Sequence, residues 1–381
     1  MNFTNEHLEE LIALRRTLHS QPELAGKEVE TAKKIKAYLT SCQPAEIIEN
    51  IAGHGLLAIF KGNEPGKNIL LRADMDALPI SELNDFYYKS KNPGVSHKCG
   101  HDGHSAILAG VAKMLSLQPI KKGNVCLLFQ PAEETGEGAE KVLEDPKFCD
   151  WYFDRVFALH NLPGFAKNTV IIRKNHFAAA SKGMIISLTG KTSHAANPEH
   201  GISPALAVSE IIRHFTDLSI DTSKFKAFKL ITIVHVRMGE KAFGTTPGFA
   251  QVMATLRSYR NDDMELLTSY AVNIIRSIAD KFDLQERVQW TEEFPASVND
   301  GDSCEMVSIV ASENKLQVIE INEPFRWSED FGHFLIKYPG VLFGIGAGEK
   351  YPKLHNPDYD FPDDIIRTGI TMFDGIVRKF Q

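Results

Sequence analysis

Short apolar runs that alternate with helical patterns constrain the fold of this chain more than any other feature of its sequence. Runs of mostly apolar residues predict buried strands, and they lie at 68–73, 125–129, 156–159 and 341–346. Apolar residues at helical spacing predict two helices before the first run and another helix at 105–117. Strands that alternate with helices favour an α/β fold built on a mostly parallel sheet.

The pattern changes in the middle of the chain. The 381 residues exceed the ~150 residues of an average domain, so we expect about two domains. The segment between the third and fourth runs predicts the order strand, helix, strand, strand, helix, which suits a separate α+β module. We therefore predict an α/β domain formed by residues 1–179 and 291–381 and interrupted by an inserted domain at 180–290.

Composition excludes several classes of partner. Forty-two basic and 49 acidic residues give a net charge of −7, which argues against binding to a nucleic-acid backbone. No apolar run approaches the ~18 residues of a membrane span, and the first residues lack the basic and apolar regions of a signal peptide. The 5 cysteines are scattered, with no Cys-x-x-Cys pair. We expect a cytoplasmic protein with mostly reduced cysteines and no nucleic-acid or membrane partner.

Polar side chains suited to metal binding stand at the ends of the predicted strands. Ligands bind outside the carboxyl ends of the strands in an open α/β sheet, so residues that follow different strands converge there. The residues in these places are Asp74, Asp76, Glu133, Glu134 and His160, with His355 in the loop after the last strand.

The segment Cys-Gly-His-Asp-Gly-His adds more donors just before the predicted helix at 105–117. Its donors are Cys99, His101, Asp102 and His104. Thiolate, imidazole and carboxylate groups together are what divalent transition metals require. Each piece alone has an ordinary explanation as a turn former, a helix cap or a solvated pair. Because the pieces occur at four predicted strand ends, the sequence predicts a metal site.

The order of the motifs carries a family resemblance across nearly the whole chain. The sequence closely resembles the M20 family of metallopeptidases, specifically the amidohydrolase branch with aminoacylases, hippurate hydrolases, N-acetyl-diaminopimelate deacetylases and auxin-conjugate hydrolases. The matching segments are RRTLHSQPE at 15–23, RADMDALP at 72–79, HKCGHDGH at 97–104, FQPAEE at 129–134, LHNLPG at 159–164, GKTSHAANP at 190–198 and LHNP at 354–357.

The resemblance implies a two-metal hydrolase whose catalytic α/β domain is interrupted by a lid domain that commonly pairs subunits. It implies that Glu133 is the general base and that Asp76 orients a ligand. Zinc or manganese would be the metal, with cobalt and nickel as alternatives. The ligands implied by the motifs are Cys99, bridging both metals, with His101, Glu134, His160 and His355.

The lid carries the substrate-binding residues that the resemblance implies. His194 would reach the scissile carbonyl, and Asn197 lies near it. From the residues themselves, Gly348 of the catalytic domain could offer a backbone donor to a substrate carboxylate, and a glycine-rich turn explains this glycine equally well. Where the family often has Asn-Val-Ile-Pro in the lid, this chain has Gly-Thr-Thr-Pro at 244–247 and lacks an asparagine that helps to hold the substrate.

The expected activity is hydrolysis of the amide bond in a small N-acyl amino acid, by an enzyme that can form a homodimer through its lid. A dipeptidase or carboxypeptidase with the same metal centre is the alternative. A non-catalytic metal-binding relative is a further reading, which the presence of Glu133 beside a complete ligand set disfavours.

Overall fold

A computed structural model describes residues 3–380 of the chain and divides it into two compact units. The first unit takes in Met1–Phe177, Ser297–Glu323 and Asp330–Gln381. The second unit takes in Ala178–Ala296 and Pro324–Glu329. No helix within residues 3–380 combines the length and the apolar character needed to cross a membrane.

The strands of the described chain range from 3 to 11 residues in length. They are β1 (Glu46–Ile51), β2 (Gly55–Lys61), β3 (Glu64–Asp74), β4 (Lys122–Gln130), β5 (Arg155–Pro163), β6 (Val170–Ile172), β7 (Asn175–Ala178), β8 (Ala180–Thr189), β9 (Lys229–Met238), β10 (Phe249–Ser258), β11 (Gln285–Phe294), β12 (Ser297–Asn299), β13 (Val318–Glu320) and β14 (Gly340–Gly348).

The helices include both predicted N-terminal helices and the helix that follows the Cys-Gly-His-Asp-Gly-His segment. They are α1 (Asn5–Ser20), α2 (Val29–Ser41), α3 (His101–Leu117), α4 (Gly138–Glu144), α5 (Ala205–Ile220), α6 (Asn261–Lys281), α7 (Gly301–Glu313), α8 (Gly332–Lys337) and α9 (Ile366–Arg378).

The first unit is built on a sheet with the strand order β1-β2-β4-β3-β5-β14-β6-β13. Its central strands β4, β3, β5 and β14 are parallel to one another, which confirms the predicted fold class. These strands are buried along most of their length because helices cover the sheet, and α3 packs against α1, α9 and β3. Parallel strands place their carboxyl ends at one edge, where the predicted donors collect.

Two boundaries differ from the predicted ones and change where donors sit. Helix α3 begins at His101 rather than at Ser105, because Gly100 takes the left-handed backbone conformation (φ +97°) at its N-cap. A Cβ atom at Gly100 would lie 2.5 Å from Oδ1 of Asn161. His160 lies within β5 rather than after it, because pairing with β14 continues past Gly344 opposite His160.

The second unit is an antiparallel sheet with the strand order β11-β8-β10-β9. The expected strand, helix, strand, strand, helix order corresponds to β8, α5, β9, β10 and α6. Strand β11 was not predicted, because its mostly exposed and polar residues give little apolar alternation. Strand β9 lies at one edge of the sheet, with β10 as its neighbour.

Candidate metal centre

The five side chains predicted as ligands come together at the carboxyl edge of the first sheet. Donor atoms of Cys99, His101 and His160 lie within 4.8 Å of one another, and so do those of Cys99, Glu134 and His355. Cys99 belongs to both groups, so its sulfur is shared by the two sets of donors. We call these five residues the ligand cluster.

Different elements hold these donors in place. Gly100 turns the chain between Cys99 and the first residue of α3, His101, while β5 carries His160. Glu134 lies in the turn after β4, and His355 in the loop after β14.

Hydrogen bonds orient both buried imidazole rings toward the sulfur. Nδ1 of His101 donates to the backbone oxygen of Asp76 over 2.9 Å, and Nδ1 of His160 donates to the backbone oxygen of Asn161 over 2.9 Å. In its neutral form each ring therefore carries its proton on Nδ1 and keeps the lone pair of Nε2 for another partner. Nε2 of His160 lies 3.5 Å from Sγ of Cys99.

The electrostatics of the cluster are dominated by burial and by carboxylates. Burial opposes a charge on His101, but Asp74, Asp76 and Glu134 raise the pKa of this histidine to about 10. Burial lowers the pKa of His160 well below its usual range, and the neighbouring His104 lowers it further. Burial raises the pKa of Glu134 to about 7, although His101 opposes that shift. The carboxylates thus create a strong preference for positive charge at the position of His101.

The buried donor atoms of the ligand cluster suit a bound cation. Among residues 3–380, Nε2 of His101 and Oε1 of Glu134 are buried without a hydrogen-bond partner, and they lie 3.7 Å apart. Buried polar atoms without partners are costly in a folded protein, and two such donors this close together fit a shared cation. A thiol, imidazoles and a carboxylate form a donor set suited to divalent transition metals.

Glu133 and Asp76 lie directly beside the ligand cluster. Oε2 of Glu133 is 3.8 Å from Nε2 of His101, and Oε1 accepts a hydrogen bond from the backbone of Asp330 over 3.3 Å. The carboxylate of Asp76 accepts the backbone N–H groups of Glu133 and Glu134, each over 3.1 Å. Asp76 therefore orients His101 through its backbone oxygen and holds the Glu133 turn through its side chain.

Two donors of the Cys-Gly-His-Asp-Gly-His segment have other partners. Nδ1 of His104 lies 2.6 Å from the carboxylate of Asp74, and its Nε2 accepts the backbone N–H of Asn161 over 3.3 Å. Asp102 bonds His19 over 2.8 Å on the side of α1. Both ring nitrogens of His104 are thus in use, and Asp102 belongs to a separate set of ion pairs.

The sequence did not indicate the residues that brace this edge of the sheet. Arg72 is fully buried in β3 and bonds the carboxylates of Asp74 and Asp330, each over 2.6 Å. Gln130 donates to the other oxygen of Asp330 over 2.7 Å. An arginine within an apolar strand is a signal that could have been used, because a buried charge needs a partner. No pattern around Asp330 indicated that partner.

The remaining predicted site residues lie in two places. His194 and Asn197 are exposed residues of the second unit, and the backbone of Ala196 donates to Nδ1 of His194 over 3.0 Å. That bond leaves Nε2 of His194 as the protonated nitrogen of the neutral ring. The Gly244–Pro247 segment pairs with this loop through a bridge between His194 and Thr245.

Gly348 uses its backbone N–H within the protein. Gly348 ends β14 with φ +130°, but its backbone N–H donates to the backbone oxygen of Phe165 over 2.8 Å. The group expected to bind a substrate carboxylate is therefore used within the sheet edge, and Gly348 serves a turn.

Comparison with known families matches most of the chain. A model described as peptidase family M20/M25/M40 matches residues 70–379. The chain is 32% identical to the N-acetyl-L-cysteine deacetylase of Bacillus subtilis (strain 168) over 374 residues, which cover 97% of this chain and 88% of that protein. It is 30% identical to the hippurate hydrolase of Campylobacter jejuni over 385 residues, which cover 100% of both chains.

A solved structure extends the comparison to three dimensions. The crystal structure of the Bacillus subtilis YXEP protein, described as a dinuclear metal-binding peptidase from the M20 family, matches with a TM-score of 0.83. The match covers 98% of each chain at 28% sequence identity.

Proposed function

We propose, from the premise that the chain belongs to peptidase family M20/M25/M40, that this metal-dependent amidohydrolase cleaves the amide bond of a small N-acyl amino acid. The names of two relatives support this substrate class, since one is a deacetylase of N-acetyl-L-cysteine and the other a hydrolase of hippurate. Both resemble the chain over almost its full length.

Two divalent cations fit the ligand cluster. Cys99, His101 and His160 would hold one, and Cys99, Glu134 and His355 the other, with the sulfur shared. When bound, such cations supply Lewis acidity, which makes water more acidic and polarises the carbonyl group of an amide. The thiolate favours zinc over harder cations. Manganese is proposed beside zinc on the family resemblance alone, with cobalt or nickel as alternatives.

The observation that carries the proposal is the difference between two adjacent glutamates. Carboxylate oxygens of Glu134 lie 3.7 Å from Nε2 of His101 and 3.8 Å from Nε2 of His355, within the ligand cluster. Oε2 of Glu133 also lies 3.8 Å from Nε2 of His101, but Glu133 belongs to neither of the two groups that contain Cys99. A general base must lie near the reacting water without being used as a ligand, and a place beside the two groups that share Cys99 supports that role for Glu133.

Glu133 then has two tasks in hydrolysis. It removes a proton from the attacking water, whose oxygen forms the new C–O bond at the carbonyl carbon. It then returns that proton to the leaving nitrogen as the amide C–N bond breaks. The backbone N–H of Asp330 and the turn held by Asp76 keep its carboxylate in place.

Paired substitutions test this division of roles. Glu133→Gln should retain both metals and lose turnover by ~10²–10⁴-fold, because it removes the proton acceptor. Glu134→Gln should lose metal as well as turnover. Metal content by elemental analysis and turnover of N-acetyl and N-benzoyl amino acids measure both. Full turnover in Glu133→Gln would remove Glu133 from this role.

A dipeptidase or carboxypeptidase activity is the alternative for the same centre. Apoenzyme reconstituted separately with zinc, manganese, cobalt and nickel should hydrolyse N-acyl amino acids faster than free-amine dipeptides. Faster hydrolysis of the dipeptides would favour the alternative. Bound metals without turnover of any amide would indicate a non-catalytic relative.

The second unit, which contains the predicted insertion at 180–290, is the proposed lid and dimer domain. Nε2 of His194 carries a proton that it could donate to the oxygen of the scissile carbonyl, and Asn197 in the same loop would help to hold the substrate. Strand β9 at the sheet edge exposes Val234, Val236 and Met238, which supports a homodimer through this unit. Light scattering of the wild type and of Val236→Glu tests the dimer, and His194→Ala tests the lid residue.

A further inference from the structure

The turn that carries Glu133 and Glu134 is held by two carboxylates from other parts of the chain. Three consecutive backbone N–H groups, those of residues 132–134, point at these carboxylates. Asp76 accepts the last two. The first, from Ala132, goes to Oε1 of Glu28 over 2.9 Å. The proposed mechanism does not use Glu28.

The turn needs such support because its backbone is strained. Ala132 has φ +57°, in the left-handed region that residues other than glycine rarely adopt. Its conformation sets the direction in which the next residue, Glu133, leaves the backbone. A hydrogen bond to the N–H of Ala132 therefore supports the residue of this turn whose backbone conformation is strained.

Glu28 is itself firmly anchored. It immediately precedes α2, is fully buried, and its Oε1 also accepts the backbone N–H of Gly26 over 2.9 Å. Its Oε2 is buried without a hydrogen-bond partner among the described residues. Burial, with help from the nearby Asp76, raises the pKa of Glu28 to about 7. Burying a carboxyl group with one oxygen that makes no hydrogen bond lowers the stability of the folded protein. The contact of Glu28 with the turn is therefore a reason to keep a carboxyl group at this position.

We propose that Glu28 is a positioning residue that fixes the turn of residues 132–134 and so aims Glu133 at the reacting water. This inference rests on the proposed function of Glu133. The Glu28 carboxylate accepts hydrogen bonds from the backbone N–H groups of Gly26 and Ala132, and it acts on Glu133 through the backbone of Ala132. Together with Asp76 it forms a two-carboxylate clamp on the catalytic turn.

The chain offers a matched control in the same segment. The carboxylate of Glu23 accepts the backbone N–H groups of Glu30 and Thr31, over 3.2 and 2.8 Å, at the start of α2. Glu23→Ala therefore removes a carboxylate that supports α2 but not the catalytic turn. Glu28→Gln keeps an oxygen that can accept from Ala132, whereas Glu28→Ala removes it.

The experiment measures kcat, KM, metal content and hydrogen exchange of the peptide that covers residues 130–136. Glu28→Ala should lower kcat by ~10–100-fold with little change in KM, as expected when a reacting group is misaligned while the substrate still binds. It should retain both metals and speed exchange in this peptide. Glu28→Gln should recover most of kcat and of the protection. Glu23→Ala should destabilise the protein without changing kcat or exchange in the turn.

Several results would overturn the inference. Equal kcat in Glu28→Ala and the wild type, or equal exchange in the turn, would show that the turn holds its conformation alone. Equal defects in Glu28→Gln and Glu28→Ala would assign the effect to the charge rather than to the hydrogen bond. Unchanged turnover in Glu133→Gln would instead contradict the proposed function, while exchange in the turn would still report whether Glu28 holds it.

Discussion

The ligand cluster and a neighbouring ion-pair network are both made of buried titratable side chains, and both draw on the segment at 97–104. In the network, every charged side chain has a partner of opposite charge among its members. Arg15 bonds Asp102 over 3.3 Å, and His19 bonds Asp102 over 2.8 Å and Glu82 over 2.9 Å. Lys98 also bonds Glu82. We call these five residues the ion-pair network.

The two regions have similar electrostatic signatures. Burial opposes the charge of His19, but Asp102 and Glu82 raise its pKa to about 9. Carboxylates likewise raise the pKa of His101 in the ligand cluster to about 10. A shifted histidine pKa therefore does not separate a structural group from a functional one.

The difference lies in the partners. His19 uses both ring nitrogens in hydrogen bonds within the protein, whereas Nε2 of His101 has no such partner among the described residues. The ligand cluster also combines a thiol with imidazoles and a carboxylate, while the network pairs cations with carboxylates. A cluster that mixes thiol, imidazole and carboxylate donors, and that holds a buried imidazole nitrogen without a hydrogen-bond partner, indicates the functional region, and burial alone does not.

The largest expected effect comes from the exposed member of the ligand cluster. The side chain of His355 is 52% exposed, and its backbone has φ +66°, which asparagine tolerates. His355→Asn should lower turnover by more than ~100-fold, because even substitution of residues that support metal ligands costs about 10–100-fold. Its free energy of unfolding without metal should change little.

Elemental analysis and urea unfolding of the chelated protein check this result. The variant should bind less metal than the wild type. If His355→Asn retained both metals and full turnover, His355 would not be a metal ligand. The functional role assigned to the ligand cluster, in contrast to the ion-pair network, would then be wrong.

The next effect belongs to the ion-pair network. Arg15 is fully buried and also bonds Asp360 over 2.7 Å and Asp363 over 2.9 Å. Arg15→Met should lower the free energy of unfolding by ~3–5 kcal/mol, because it leaves buried carboxylates without their cation. Metal content and kcat of the folded protein should stay close to those of the wild type.

Urea unfolding, metal analysis and kcat at a temperature well below the melting transition distinguish the two regions. Loss of metal from folded Arg15→Met would show that the network also shapes the ligand cluster. In that case the contrast between a structural and a functional set of buried charges would fail.

The donors of the ligand cluster could be predicted from the sequence because each is marked locally, and the family resemblance then selected these five from a larger set of marked donors. A histidine or glutamate at a strand end, or a Cys-Gly-His-Asp-Gly-His segment, is visible without knowledge of its partners. The fold class was predictable for the same reason, since apolar runs and helical spacing are local patterns. The start of α3 was missed because it depends on the conformation of one glycine, Gly100.

The supporting contacts could not be predicted because they join distant residues. Arg72 and Asp330 are separated by 258 positions, and Glu28 and Ala132 by 104. No spacing rule selects such pairs, since the fold brings them together only after the sheet has formed. The sequence likewise left two readings of Gly348 open, because a glycine-rich segment does not reveal that the N–H of Gly348 is bonded to Phe165.

The smallest expected effect is the pH dependence that His19 gives to stability. Its pKa rises from 6.5 to about 9 in the folded protein, where burial opposes and Asp102 and Glu82 favour the charge. A folded pKa above the unfolded one means that protonated His19 stabilises the protein fully below about pH 6.5. This contribution is lost as the pH rises from 6.5 toward 9. Burial opposes the charge of Asp102, but His19 holds its pKa well below the usual range, so this carboxyl group stays ionised across the same window.

His19→Gln should therefore be less stable than the wild type at pH 6.5, and the difference should shrink toward pH 9. Glutamine keeps hydrogen-bonding capacity but has no charge to lose, so the comparison isolates the titration of His19 from other groups. Urea unfolding of both chelated proteins across this range measures the difference. A constant difference would mean that His19 is neutral in the folded state. The network would then resemble the ligand cluster, where neutral imidazole is the form that can bind a cation.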